Sequence, residues 1–135
     1  MLELTMAAVS GEEAGATAGM TMAEAPSEPG AALRVGRDGA VCRLVTPEDW
    51  LFVSRVHLEF LCGPDGGWQL SWLHGSQPDP SSEVRLTVGE YAQTVPYGGS
   101  VRLPRGASGE VVVQDRTAPR SVNVGFYHEV QLPPA

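Results

Sequence analysis

The chain contains no lysine, only two cysteines, and no apolar run approaching the roughly 20 residues of a membrane-spanning helix. Each shortage excludes something. Without a long apolar run, no membrane partner is expected. Cys42 and Cys62 lie far apart and, even with His57 and His74, lack the paired spacing of a zinc site. They are expected as buried, reduced thiols, with no metal and no cofactor. Sixteen acidic residues outweigh nine basic ones for a net charge of −7, which argues against a nucleic-acid partner. The first 30 residues carry five glutamates and no base, so the N-terminus lacks the basic segment of a secretory signal. The resulting expectation is a soluble cytoplasmic protein. No G-x-S-x-G element is present. Ser54 and His57, three residues apart on an expected strand, would point to opposite faces. An enzyme is therefore not expected.

What is plentiful is turn chemistry. With 16 Gly and 11 Pro in 135 residues, the composition favours many short elements in a chain long enough for one domain with its own core. Strand-like runs fall at 2–6, 32–35, 41–45, 52–62, 68–73, 84–88, 92–95, 101–103, 110–114 and 121–131. The alternation is clearest from Val56 to Cys62, and Pro64-Asp65-Gly66-Gly67 forms a hairpin turn into Trp68–Leu73. Residues 10–30 are rich in Ala, Gly, Glu, Ser and Pro, and within them Gly15 to Glu24 reads equally as a further strand, a flexible segment or a short helix. Strands every 8–12 residues separated by turn signals indicate an all-β sandwich, one domain over 1–131 with 132–135 as a tail or linker.

All nine basic residues are arginines, as GC-rich coding would favour, and four of them (34, 37, 43 and 55) fall within one stretch. That stretch contains Gly36-Arg37 and, seventeen positions beyond Arg37, Ser54-Arg55-Val56-His57. Guanidinium forks and small hydroxyls hold a phosphate dianion by charge-assisted hydrogen bonds of fixed geometry. A locally positive site on an acidic molecule suits a phosphorylated or acidic peptide. Plainer readings stand beside this one. Arg37 would be a surface residue at a turn, Ser54 a turn cap, Arg55 the partner of Glu59 or Asp49, and His57 a hydrogen-bonded packing residue. Trp68 and Trp72 share a strand face as core, whereas Trp50, in an acidic loop with Glu48 and Asp49, is expected to be exposed.

These residues resemble a forkhead-associated (FHA) domain. The resemblance rests on Val35-Gly36-Arg37, Val53-Ser54-Arg55-Val56-His57, the Asp65-Gly66-Gly67 turn, Trp68-Gln69-Leu70, and Pro96 to Leu103, and it spans roughly 30–130. It implies an eleven-stranded antiparallel β-sandwich whose loops at one end bind phosphothreonine peptides. By the same resemblance Arg37, Ser54 and Arg55 would contact the phosphate, with Gly36 and His57 bracing the loops. The implied role is recruitment of a threonine-phosphorylated protein, as in bacterial Ser/Thr-kinase signalling. One departure matters. The family's usual Ser-Asn-Gly-Thr-like segment is replaced by His74-Gly75-Ser76-Gln77-Pro78-Asp79-Pro80. Ser76 and Gln77 are the expected peptide contacts there, and Asp79 would repel a phosphate. The missing Asn leaves a second reading open, a degenerate sandwich that binds its partner without phosphate.

Overall fold

The structure, a computed structural model, describes residues 1–10, 16–75 and 79–129, with backbone only at 10 and 16–19. Eleven strands build two sheets. The first contains β1 (Leu2–Ser10), β2 (Ala16–Ala25), β7 (Ser82–Val88), β8 (Tyr91–Val95), β10 (Ser108–Asp115) and β11 (Arg120–His128), in the order β2-β1-β11-β10-β7-β8. The second contains β3 (Ala32–Gly36), β4 (Leu44–Val45), β5 (Leu58–Cys62), β6 (Trp68–Trp72) and β9 (Ser100–Arg102), in the order β4-β3-β5-β6-β9. Pairing is antiparallel except between β3 and β4, which run parallel over Val35↔Leu44 and Gly36↔Val45.

Alternation along the strands makes the core. Leu2, Leu4 and Met6 of β1, Val122, Val124 and Phe126 of β11, and Val111 and Val113 of β10 face inward from the first sheet. Leu33 and Val35, Leu58, Phe60 and Cys62, and Trp68, Leu70 and Trp72 face them from the second. Each such side chain contributes about 1.5–3 kcal/mol on burial, and the period of two forces every neighbour outward. The β5–β6 hairpin turns as its sequence implies. Gly66 takes φ +78°, which a side chain would resist. Asp65 accepts the Gly67 N–H at 3.0 Å and pairs with Arg102.

Several expectations change. Residues 16–25 form strand β2, paired with β1 along nearly its whole length. The expected strand at 41–45 shrinks to Leu44–Val45, because residues 38–42 close a turn in which Asp38 Oδ1 accepts the Ala40 N–H at 2.9 Å. The long strand from Phe52 begins only at Leu58. Residues 47–53 instead fold back through Trp50 N–H to Pro47 O (3.1 Å) and Val53 N–H to Trp50 O (3.0 Å). That fold-back buries Trp50, expected to be exposed, at 8% exposure. Its ring lies 5.5 Å from that of Phe52, and the Arg120 guanidinium covers both at 5.5 and 5.4 Å. The tail at 132–135 lies outside the described residues.

Arg120 is held by Asp115, a buried carboxylate that accepts from its Nη2 at 2.8 Å and from the Thr117 amide and hydroxyl at 2.9 and 3.0 Å. Burial alone would raise this carboxyl, yet the Thr117 donors and Arg120 together hold it below the usual carboxylate range. The β10–β11 turn thus clamps the aromatic loop that leads into Ser54. Asp115→Ala should lower unfolding free energy by roughly 2 kcal/mol by removing a hydrogen-bonded, desolvated acceptor. Urea denaturation with an unchanged m-value is the check.

Candidate functional site

Two chain segments meet at one end of the sandwich, and Gly36 is the reason they can. A Cβ built on Gly36 would stand 2.1 Å from the Arg55 carbonyl oxygen and 2.9 Å from Val56 Cα. With no side chain there, the backbone of 54–57 lies directly against the end of β3. His57 N–H donates to Val35 O at 2.8 Å, Asp38 N–H to Arg55 O at 3.0 Å, and Arg37 N–H to Ser54 O at 3.2 Å. These bonds carry the loop past the end of the β3–β5 ladder without using any side chain.

His57 fixes the loop from beneath. It is 2% exposed, and its Nδ1 accepts the Ser54 N–H at 2.9 Å. Because Nδ1 is an acceptor, the ring proton sits on Nε2, which faces Ser82 Oγ at 3.3 Å. Burial lowers the imidazole to a pKa of about 4, so the ring is neutral at physiological pH. Ser54 and His57 are not on one strand, as the sequence suggested, but on a loop where the imidazole serves the serine's amide. The basic nitrogen is therefore spent on a backbone N–H, and neither the Ser54 nor the Ser82 hydroxyl has it as a general base.

With the loop so held, Arg37, Ser54 and Arg55 line one cleft of about 530 Å³. Arg37 is half-buried and oriented by the backbone, with Nε donating to Val53 O at 2.6 Å and Nη1 to Glu48 O at 3.4 Å. The Ser54 hydroxyl and the exposed Arg55 guanidinium have no hydrogen-bond or ion-pair partner among the described residues. Glu59, an expected partner for Arg55, pairs with Arg34 at 3.0 Å instead. The cleft therefore presents one backbone-oriented guanidinium, one exposed guanidinium and one open hydroxyl to the same space. That set suits an oxyanion. Ser76 and Gln77 lie outside the described residues, so their expected contacts have no structural account.

Sequence reasoning missed the opposite side of the cleft. Tyr97 Oη accepts the Gly75 N–H at 2.8 Å, and its ring stacks on His74 at 4.4 Å. Trp72 links Tyr97 (5.0 Å) to His57 (5.6 Å), so four rings run from the buried floor to the exposed lip. The Trp72 indole N–H is buried without a hydrogen-bond partner among the described residues. The available signal was the Pro96-Tyr97-Gly98-Gly99 turn, which places an aromatic between turn residues where it cannot be strand core.

No family model matches the sequence, and no curated protein matches it. Solved structures do match. One is an engineered FHA domain with a Myc-pTBD peptide, at 15% identity and TM-score 0.60, covering 95% of this chain and 92% of that one. Another is the N-terminal FHA domain of S. cerevisiae Rad53p in complex with a phosphothreonine peptide, at 15% identity and TM-score 0.59, covering 93% and 94% of the two chains. These likenesses extend over almost the whole chain and show that its fold is the forkhead-associated β-sandwich.

Two outcomes test this account of the loop. Gly36→Ala should cost roughly 3 kcal/mol, because a methyl group must displace backbone; chemical denaturation reads it. The histidine makes stability pH-dependent. Its folded pKa, about 4, lies below the ordinary 6.5, so the unfolded chain binds more protons between those values. Stability should therefore fall as pH drops from 6.5 towards 4, by on the order of 3 kcal/mol. In His57→Asn, whose Oδ1 can replace the Nδ1 acceptor, thermal melts across that window should lose most of the slope.

Proposed function

We propose that this chain, which has the forkhead-associated fold, binds a threonine-phosphorylated protein at the Arg37–Ser54–Arg55 cleft. It acts as a recruiting module, not as an enzyme, and serves Ser/Thr-kinase signalling of the bacterial kind in the cytoplasm. One observation carries the reading: a hydroxyl and a guanidinium without partners among the described residues share a cleft with a second guanidinium that the backbone already orients. Phosphate capture there requires no rearrangement of Arg37, since its Nε bond to Val53 O leaves other guanidinium N–H groups for an anion. Holding that side chain before binding reduces the entropy lost when the complex forms. The two structures that the chain resembles, an FHA domain with a Myc-pTBD peptide and one in complex with a phosphothreonine peptide, lend the same support.

The competing reading is a sandwich that binds a partner without phosphate. The bonds of Arg37 to Val53 and Glu48 carbonyls favour it, because they also suit a purely structural arginine. Calorimetric titration with phosphothreonine peptides and their unphosphorylated counterparts separates the two. Under the phosphothreonine reading only the phosphorylated peptides bind. Arg37→Ala and Ser54→Ala then each weaken binding at least 30-fold, the lower end of what a charged or desolvated partner costs when lost. The Ser54→Ala protein should melt like wild type, since its hydroxyl bonds to nothing described. Equal affinity for both peptide forms would decide for the phosphate-independent module.

A further inference from the structure

Beside the phosphate cleft lies a second concavity, and the two share a wall. It too has a volume of about 530 Å³, and it is lined by Arg37, Asp38, Gly39, Glu48 and Arg55. The arginines therefore stand between two spaces, one with Ser54 and one with two carboxylates. Among the described residues Arg37 and Arg55 form no ion pair, and neither do Asp38 and Glu48, although all four line this one concavity. Glu48 touches Arg37 only through its main-chain carbonyl, at 3.4 Å from Nη1, and its side chain is exposed. Asp38 commits one carboxylate oxygen to the Ala40 amide at 2.9 Å and leaves the other.

Opposite charges that share a concavity without neutralising one another are open to an outside ligand of both signs. An isolated anion would gain the two guanidiniums but meet the field of the two carboxylates at close range. A ligand that carries a cation next to its phosphate satisfies both. The chain's overall charge of −7 acts in the same direction, repelling acidic partners and attracting basic ones.

Resting on the phosphothreonine reading above, we propose that Asp38 and Glu48 form a selectivity subsite for an arginine or lysine of the bound peptide. Because the two concavities share Arg37 and Arg55, and extended chain advances about 3.3–3.6 Å per residue, that basic residue lies within about three positions of the phosphothreonine. The partner is thus the product of a kinase that phosphorylates threonines among basic residues, not among acidic ones. Most partner selection then resides in exposed charge, so it weakens as salt screens it.

The test is a titration of three phosphothreonine peptides whose flanking positions are arginine, alanine or glutamate, against wild type, Glu48→Gln and Glu48→Arg. Wild type should prefer the arginine-flanked peptide to the glutamate-flanked one by on the order of tenfold, with less preference at high salt. The ratio should shrink in Glu48→Gln and reverse in Glu48→Arg, while circular dichroism confirms that both variants are folded. Equal binding of all three peptides by wild type, or a ratio unmoved in Glu48→Arg, overturns the subsite and leaves the phosphothreonine reading intact. No binding of any phosphothreonine peptide overturns both.

Discussion

The site depends on one contact, the backbone of Arg55 and Val56 lying against Gly36. It is closer than any Cβ permits, and everything at that end of the sandwich follows from it. The loop hydrogen-bonds to the end of β3 by main chain alone, so Arg37 on one segment and Ser54-Arg55 on the other share a cleft. The Ser54 hydroxyl and the Arg55 guanidinium, which have no partner among the described residues, are left for solvent or ligand, while Arg37 is oriented by the Val53 and Glu48 carbonyls. A bulkier residue at 36 would leave the cleft side chains in the sequence but would push the two segments that carry them apart.

Around that contact lie two buried polar groups with defined partners, His57 and Asp115. Neutral His57 supports the Ser54 amide from below, and Asp115 holds Arg120 over Trp50 and Phe52, which pack the loop from the side. Such groups cost free energy when left unsatisfied, so they specify one loop conformation more sharply than apolar packing would. The ring series from His57 through Trp72 and Tyr97 to His74 lines the opposite side. A guanidinium already oriented by backbone carbonyls is suited to recognition, where freedom lost on binding must be small.

Much of this was legible in the chain. Period-two alternation in Val56–Cys62 and Trp68–Trp72, with turn residues between, marks strands because burial on one face is a local, repeating demand. Gly36-Arg37 and Ser54-Arg55 stand out in the chain as a candidate site because their residue types are visible there, whereas the cleft they share exists only in the fold. The reading went astray where tertiary burial overrode local character. Trp50 sits among Glu48 and Asp49 and looks solvent-facing, yet a guanidinium seventy residues later covers it. The run read as strand from Phe52, but residues 52–57 are loop, held there by the Ser54 N–H donated to His57 Nδ1, and the strand begins at Leu58. Residues 16–25 read equally as strand, flexible segment or short helix because pairing with β1, more than their own pattern, makes them a strand.

Composition and periodicity by themselves determined an all-β chain with a strong acidic excess and an arginine-only basic set, since these depend on residue identity and near neighbours. Tertiary structure alone decided which arginines are free. Arg34 is neutralised by Glu59, Arg120 by Asp115 and Arg102 by Asp65, whereas Arg37 and Arg55 have no carboxylate partner among the described residues. It also set Asp38 and Glu48 beside those two without pairing them. Pairing between charges falls off within a few ångströms, and which groups come that close is settled by strand order and register, not by position in the sequence.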